Sequence, residues 1–398
     1  MKRRGIDLLG ICFMLLLGLG SCIKEEALNM EADIVGVRSA EDVFLLDPVI
    51  ANNQVTLYLK PNRHDLAKLN INFDLTPGAT IKLLADSLKM PVGEQDTSKV
   101  LVDQLLANGV YYQVTSEDRR FNKNYLVKIV KTDNGFVPTE YGFEDVKIDE
   151  DDKFTIFFNT IDGQDFYNWG SGNASFSLTL SMGGGTKAPE SYPTKTTTDA
   201  HSGSKAALLE TKLTGSFGAL FKKPIAAGNL FIGSFDTGPV LTDPLAATHF
   251  GLPFNQIPVA LEGYYKYTPG ATVTDKDLKP VDIKDSCDIY AVFYNRKQLM
   301  DSEPDPKKKK SFLTGHNILT DRSIVAIARL DDGSATAGDD FVKFVLPFKY
   351  TAPVDAAAVT NLDYSIAIVM SSSKYGDNFI GAVGSKLIVD DLKIVTKK

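Results

Sequence analysis

The sequence predicts an all-β protein made of two β-sandwiches, a small one followed by a larger one. Three observations predict it. Short runs alternate apolar and polar residues with the period of two that a half-buried strand requires. Clusters of Asn, Gly, Pro and Asp separate these runs at the spacing of an antiparallel sandwich. Helical periodicity is weak and brief, and no regular strand-then-helix alternation would build a parallel sheet. The chain has 398 residues, 43% of them hydrophobic and 23% charged. That is apolar enough for a core and too long for one ordinary domain.

Residues 1–21 read as an export signal. Lys2, Arg3 and Arg4 precede a nearly all-apolar stretch from Ile6 to Leu19, about the length of a signal core and short for a membrane helix. The end, Leu19-Gly20-Ser21-Cys22, resembles the bacterial lipobox, an aliphatic residue and two small ones before a Cys. The resemblance implies that Cys22 is the lipid attachment site. Ile23-Lys24-Glu25-Glu26 follows. It is similar to the surface-export signal of outer-membrane lipoproteins in glycan-degrading bacteria, so the expected location is the outer membrane, facing the cell exterior. Residues 22–33 are polar and read as a tether. No later stretch is long and apolar enough to span a bilayer, which leaves the lipid as the only membrane contact. Without residues 1–21, which carry Lys2, Arg3, Arg4 and Asp7, the net charge of −7 becomes −9. So acidic a body disfavours nucleic acid as a partner, and the Lys307–Lys310 run does not reverse that. Of three Cys, only Cys287 lies in the body, so no disulfide framework is available and an inert buried thiol is expected.

Residues 34–133 read as the first sandwich. Val55–Leu59, Leu69–Phe73, Tyr112–Ser116 and Tyr125–Ile129 alternate, with turns at Asn52-Asn53, Thr76-Pro77-Gly78, Asn108-Gly109 and Glu117-Asp118 between them. Ser98–Ala107 could form a helical turn or two. The runs Asn72–Ile81 and Tyr112–Asp118 resemble the immunoglobulin-like modules of surface lipoproteins, which serve as spacers. A turn-rich hinge, Thr132–Thr139, precedes the second sandwich at 138–398. Its strand candidates are Phe154–Phe158, Phe176–Leu180, Ile289–Phe293, Ile324–Ala328, Phe341–Val345, Tyr364–Val369 and Leu387–Val389. A jelly roll fits this pattern best.

Several ordered segments here resemble one known family. They are Ala227–Phe235, Phe250-Gly-Leu-Pro-Phe254, Gly263–Gly270, Asp285–Phe293, Ser371–Asp377 and Leu387–Asp391. Together they look like the putative carbohydrate metabolism domain. The resemblance implies a galactose-binding-like jelly roll near carbohydrate-using systems, with no demonstrated reaction. In carbohydrate-binding jelly rolls an opening Phe-Glu and a closing Val-Asp-Asp often hold a structural Ca²⁺. The matching residues are Glu144 and Asp390, with Asp391 beside them. A hard cation wanting six to eight oxygens suits acids brought together by the first and last strands.

Sugar binding needs flat apolar faces and a few planar polar groups. The one Trp, Trp169, lies in Tyr167-Asn-Trp-Gly-Ser-Gly-Asn173, whose small residues suggest an exposed loop with Asn173 as an amide partner. Tyr265, on a strand with Tyr264 and Tyr267, and Tyr375 with Asp377 in a Ser/Gly-rich loop complete the candidates. Core packing competes with function for each ring. For catalysis the sequence offers little. His64, His201, His249 and His316 are not at metal spacing, and no nucleophile elbow or nucleotide loop occurs. Paired carboxylates for glycoside cleavage are spatial and invisible in sequence. The leading expectation is a surface lipoprotein that binds glycan or polysaccharide without catalysis, alongside partner proteins of a glycan-uptake system. The alternatives are a hydrolase with two unidentified carboxylates and an adhesion protein.

Overall fold

The structure, a computed structural model, describes residues 28–39, 43–51, 53–59, 71–84, 97–131, 137–161, 164–305 and 308–397. The signal, Cys22, His64 and most of the hinge lie outside the described residues. The chain divides into two compact units that part near residue 130, except that 43–47 and 58–59 group with the second.

The protein is all-β, and both units are sandwich-like. In the first, the strands Ile34–Ser39 and Ile71–Leu75 pair with each other. A five-stranded sheet runs in the order Val49–Ala51, Gln54–Leu59, Asn122–Lys131, Val110–Thr115, Thr80–Leu83. Alternation places Val110 and Val114 inside, with Tyr125, Val127 and Ile129 from the neighbouring strand. Thr97–Ala107 is a full helix of 11 residues.

The second unit is a jelly-roll sandwich of two antiparallel sheets. One, called here the cleft sheet, runs Trp169–Gly170, Asn229–Phe235, Tyr364–Ser371, Asp288–Asn295, Ile324–Arg329, Lys349–Tyr350. The opposing sheet runs Thr194–Thr197, Ala206–Glu210, Lys386–Thr396, Pro258–Thr268, Val342–Pro347. Glu140–Tyr141 pairs with the closing strand, so the unit's first and last strands meet. Between the sheets, Leu230, Ile232, Ile289, Phe293, Ile366 and Ile368 face Leu209, Leu261, Tyr265, Tyr267, Leu387 and Val389 in one core. Cys287 belongs to this core, and burial pushes its thiol far up, which keeps it unreactive.

The central strands of the cleft sheet are buried on both faces. Tyr290, Val292 and Tyr294 point away from the main core into a second cluster with Phe231, Phe250 and Val369. One strand expectation fails: Phe176–Leu180 lies inside a helix, Asn173–Gly183. That helix buries Asn173, Phe176 and Ser177, the i, i+3, i+4 spacing of one helical face. It ends at Gly184 in the left-handed conformation, φ 72°.

Candidate ligand cleft

Strand register builds the floor of a cleft on the outer face of the cleft sheet. Asn229 pairs with Ser371, and Ser371 with Asp288, which puts three polar residues in one row. Two residues further along, Phe231 pairs with Val369, Val369 with Tyr290 and Tyr290 with Arg329. All seven line a cavity of about 480 Å³. Its walls are the helices Asn173–Gly183 and Gly215–Leu220, the loops around Val240–Thr248 and Gly315–Thr320, and the loop Ser373–Phe379.

The polar floor is tightly made. Arg329 grips Asp288 with two hydrogen bonds, Nη2 to Oδ2 at 2.5 Å and Nε to Oδ1 at 3.0 Å. The hydrogen bond to Asp288 raises the Arg329 pKa, so the cation is permanent. Its guanidinium lies 5.4 Å from the centroid of the Tyr290 ring. The Asn229 side chain is committed too, accepting from Gly172 N–H at 2.9 Å and donating to the Ala227 carbonyl at 3.1 Å.

The Ser373–Phe379 loop is held from beneath by buried Asp285. One of its oxygens accepts from Ser373 Oγ at 2.6 Å, Ser385 Oγ at 2.7 Å and Ala382 N–H at 2.7 Å. Thr211 Oγ1 lies 2.7 and 2.6 Å from the hydroxyls of Ser372 and Ser373. Gly376 lets the loop pack against Ala227, just before the strand Asn229–Phe235, because a Cβ there would sit 2.4 Å from that of Ala227. Phe379 then turns into the wall with φ 58°, a left-handed conformation that costs a bulky residue about 1–3 kcal/mol.

The candidates from sequence divide. Tyr375, 48% exposed, and Asp377 both line the cleft. Trp169 does not: it is 8% exposed, packs on Tyr141 and Phe143 at 5.0 and 5.5 Å, and donates its Nε1–H to Asn159. Asn173, 1% exposed, is a core amide whose side chain exchanges two hydrogen bonds with the Thr194 backbone. Tyr265 is 7% exposed and packs on Phe344 between the sheets. These three are structural.

The expected calcium pair does come to one place, since both acids reach the loop 201–205. Glu144 accepts Ser204 N–H, Lys205 N–H and Ser204 O–H, which lower its pKa, the Ser204 hydroxyl most. Asp390 accepts the N–H groups of His201, Ser202 and Asp391, while burial pushes its carboxyl up. Asp391 itself takes His201 Nδ1 at 2.7 Å and Ser202 Oγ at 2.7 Å. A calcium site needs carbonyl and carboxylate oxygens converging on one point. Here the loop offers hydrogen-bond donors instead, so the donor set does not fit the ion. Among the described residues no group of three or more His, Cys, Asp or Glu could hold a metal.

The family model of the putative carbohydrate metabolism domain matches residues 142–395, which include every cleft residue. The chain belongs to that family. Two solved structures resemble this member. A Bacteroides thetaiotaomicron protein described as a putative glycoside hydrolase is 37% identical, with a TM-score of 0.73 over 94% of this chain and 99% of its own. One from Bacteroides vulgatus, described in the same words, is 36% identical, with a TM-score of 0.58 over 66% of this chain and all of its own. No curated protein matches. The carbohydrate metabolism domain is thus where the cleft lies, and sequence reading found only its rim. It missed Asp288, Tyr290, Arg329 and Asn229, which no local motif joins. Alternation along Asp288–Tyr294 could have hinted that one face carries a polar residue at its end.

Proposed function

We propose that this protein binds a glycan in the cleft of its carbohydrate metabolism domain and does not cleave it. One observation carries the reading. A preformed cavity of about 480 Å³ lies wholly within the family-matched residues, in the size range of a ligand site. It combines rings with a fixed carboxylate–guanidinium pair. Tyr375 offers an exposed ring for stacking at the rim, and Asp377 a carboxylate for hydroxyls. In this reading Cys22 anchors the protein by lipid in the outer membrane, facing the cell exterior, beside other proteins of a glycan-uptake system.

Hydrolysis is the second reading, favoured by the description given to the two similar Bacteroides proteins. The cleft's lining includes two carboxylates, Asp288 and Asp377. Glycoside cleavage needs one acid held in its neutral form beside an ionised one. Asp288 is occupied by two hydrogen bonds from Arg329 and Asp377 lies exposed on its loop, so the lining offers no pair of free carboxylates.

Affinity electrophoresis of the purified protein through gels loaded with a broad polysaccharide panel tests the proposal. At least one polysaccharide should retard it, and Tyr375→Ala or Asp377→Ala should weaken the retardation. A panel with no retardation sinks the reading. Release of reducing sugar, abolished by Asp377→Asn, would replace it with hydrolysis.

A further inference from the structure

The cleft is chemically two-ended, and this bears on what it can bind. Its polar groups gather where the strands of the floor begin or end: Asn229, Ser371, Asp288 and the Ser373–Phe379 loop. One row deeper, Arg329 apart, the floor turns apolar. Phe231 packs edge-on against Phe250 at 4.8 Å, and Phe235, Val369 and Ile318 join the same cluster. Leu245 and Val240 line the cavity beside them. The opposite wall is Phe217 and Phe221, 5.2 Å apart on and just after the helix Gly215–Leu220.

This apolar wall continues into water. Leu178 and Met182 stand exposed on one wall helix, Leu220, 77% exposed, and Phe221 at the other, and Leu241 on the facing loop. Such a collection of exposed apolar side chains around a cavity marks a binding surface. An unsubstituted sugar has hydroxyls around its whole ring edge. Lodged among these phenylalanines and leucines, it would leave many of them without partners, and burying an unsatisfied hydroxyl opposes binding.

We infer that the cleft takes a glycan carrying an apolar substituent, acyl, alkyl or aryl. The sugar lies at the Asp288–Arg329 and Tyr375–Asp377 end, and the substituent among Phe217, Phe221, Phe231 and Leu241. The inference rests on the glycan-binding reading and narrows it. The apolar group could come from a glycolipid or from an esterified plant or microbial polysaccharide.

The test is calorimetric titration of the full purified protein with methyl, octyl and 4-nitrophenyl glycosides of the common hexoses and pentoses. Octanol and 4-nitrophenol serve as controls, and the octyl compounds stay below their micelle concentration. For at least one sugar, the octyl or nitrophenyl glycoside should bind at least tenfold more tightly than the methyl glycoside. Leu241→Ser, a change at an exposed side chain, should reduce that advantage, and an undiminished advantage in this variant would overturn the placement of the substituent. Preference for octyl over nitrophenyl would point to a glycolipid, and the reverse to a polysaccharide esterified with aryl groups. If methyl glycosides or plain oligosaccharides bind as tightly, this inference falls while glycan binding stands. Octanol binding as tightly as the octyl glycoside overturns the inference as well. If no sugar-bearing probe and no polysaccharide binds, both readings fail together.

Discussion

Trp169 shows how a side chain's role can hide behind its neighbours. A lone Trp among Gly and Ser reads as an exposed loop ring. In fact Gly170 is small because Phe231 packs against it, where a Cβ would lie 2.7 Å from the Phe231 ring. Small residues here make room for a core instead of loosening a loop, and sequence spacing does not distinguish the two. Trp169→Ala should therefore destabilise the domain by about 3–5 kcal/mol, the usual range for deleting a large buried ring. Denaturant unfolding followed by far-UV circular dichroism checks this. Under the proposed glycan binding, the folded fraction should keep its affinity, and a loss of affinity without a loss of stability would return Trp169 to the site. Asp285 makes the converse case. Nothing beside it in sequence marks it, yet it accepts hydrogen bonds from Ser373, Ser385 and the Ala382 backbone. Asp285→Ala strands those donors at about 1–3 kcal/mol each. It should lower the melting temperature and also weaken binding, because Tyr375 and Asp377 ride on the loop it secures. Unchanged binding by a folded Asp285→Ala protein would show that the loop is held by other means.

Among elements, strands were legible and the helix Asn173–Gly183 was not. Strands such as Asp288–Asn295 and Tyr364–Ser371 are continuous apolar runs because both their faces are covered. The helix hides its period because its buried face includes polar Asn173 and Ser177, leaving Phe176, Leu178 and Leu180 to mimic a strand. The turn between Val110–Thr115 and Asn122–Lys131 was legible as Glu117-Asp118, and its chemistry sets a pH limit. Asp118 accepts from Ser116 Oγ at 2.6 Å and from Arg120 N–H at 3.0 Å. These bonds, the Ser116 one most, lower its pKa from the ordinary 3.8 to about 2. A carboxylate with a lowered folded pKa supports the structure fully above the unfolded value and loses that support as pH falls through the folded one. The Phe121 amide, which donates to Ser116 Oγ at 3.1 Å, should report this by NMR with a midpoint near 2. A midpoint at 3.8 would mean the Asp118 cage does not form in solution.

For the whole second unit, the meeting of first and last strands was the deepest feature the sequence carried. Tyr141 pairs with Leu392 across 251 residues, and that pairing brings Glu144 and Asp390 to one loop. What the sequence could not carry is the polarity of that loop, since backbone N–H and C=O groups are present at every residue and only conformation selects which faces inward. The N–H groups of His201, Ser202, Ser204 and Lys205 face the acids. The carboxylates are thus answered by the chain itself, and stability should not depend on calcium. An ion held at a hundred times its Kd adds about 2.7 kcal/mol, worth roughly 5–10 °C in a domain this size. Scanning calorimetry in excess chelator and in millimolar Ca²⁺ should then give the same melting temperature. A rise of about 5 °C or more with Ca²⁺ would require the 201–205 loop to turn its carbonyls inward when the ion binds. Glu144→Gln separates the cases. With no ion involved, the neutral amide still accepts from Ser204 and Lys205, and the loss is modest and identical with or without Ca²⁺. With an ion, the variant should lose the whole calcium-dependent increment.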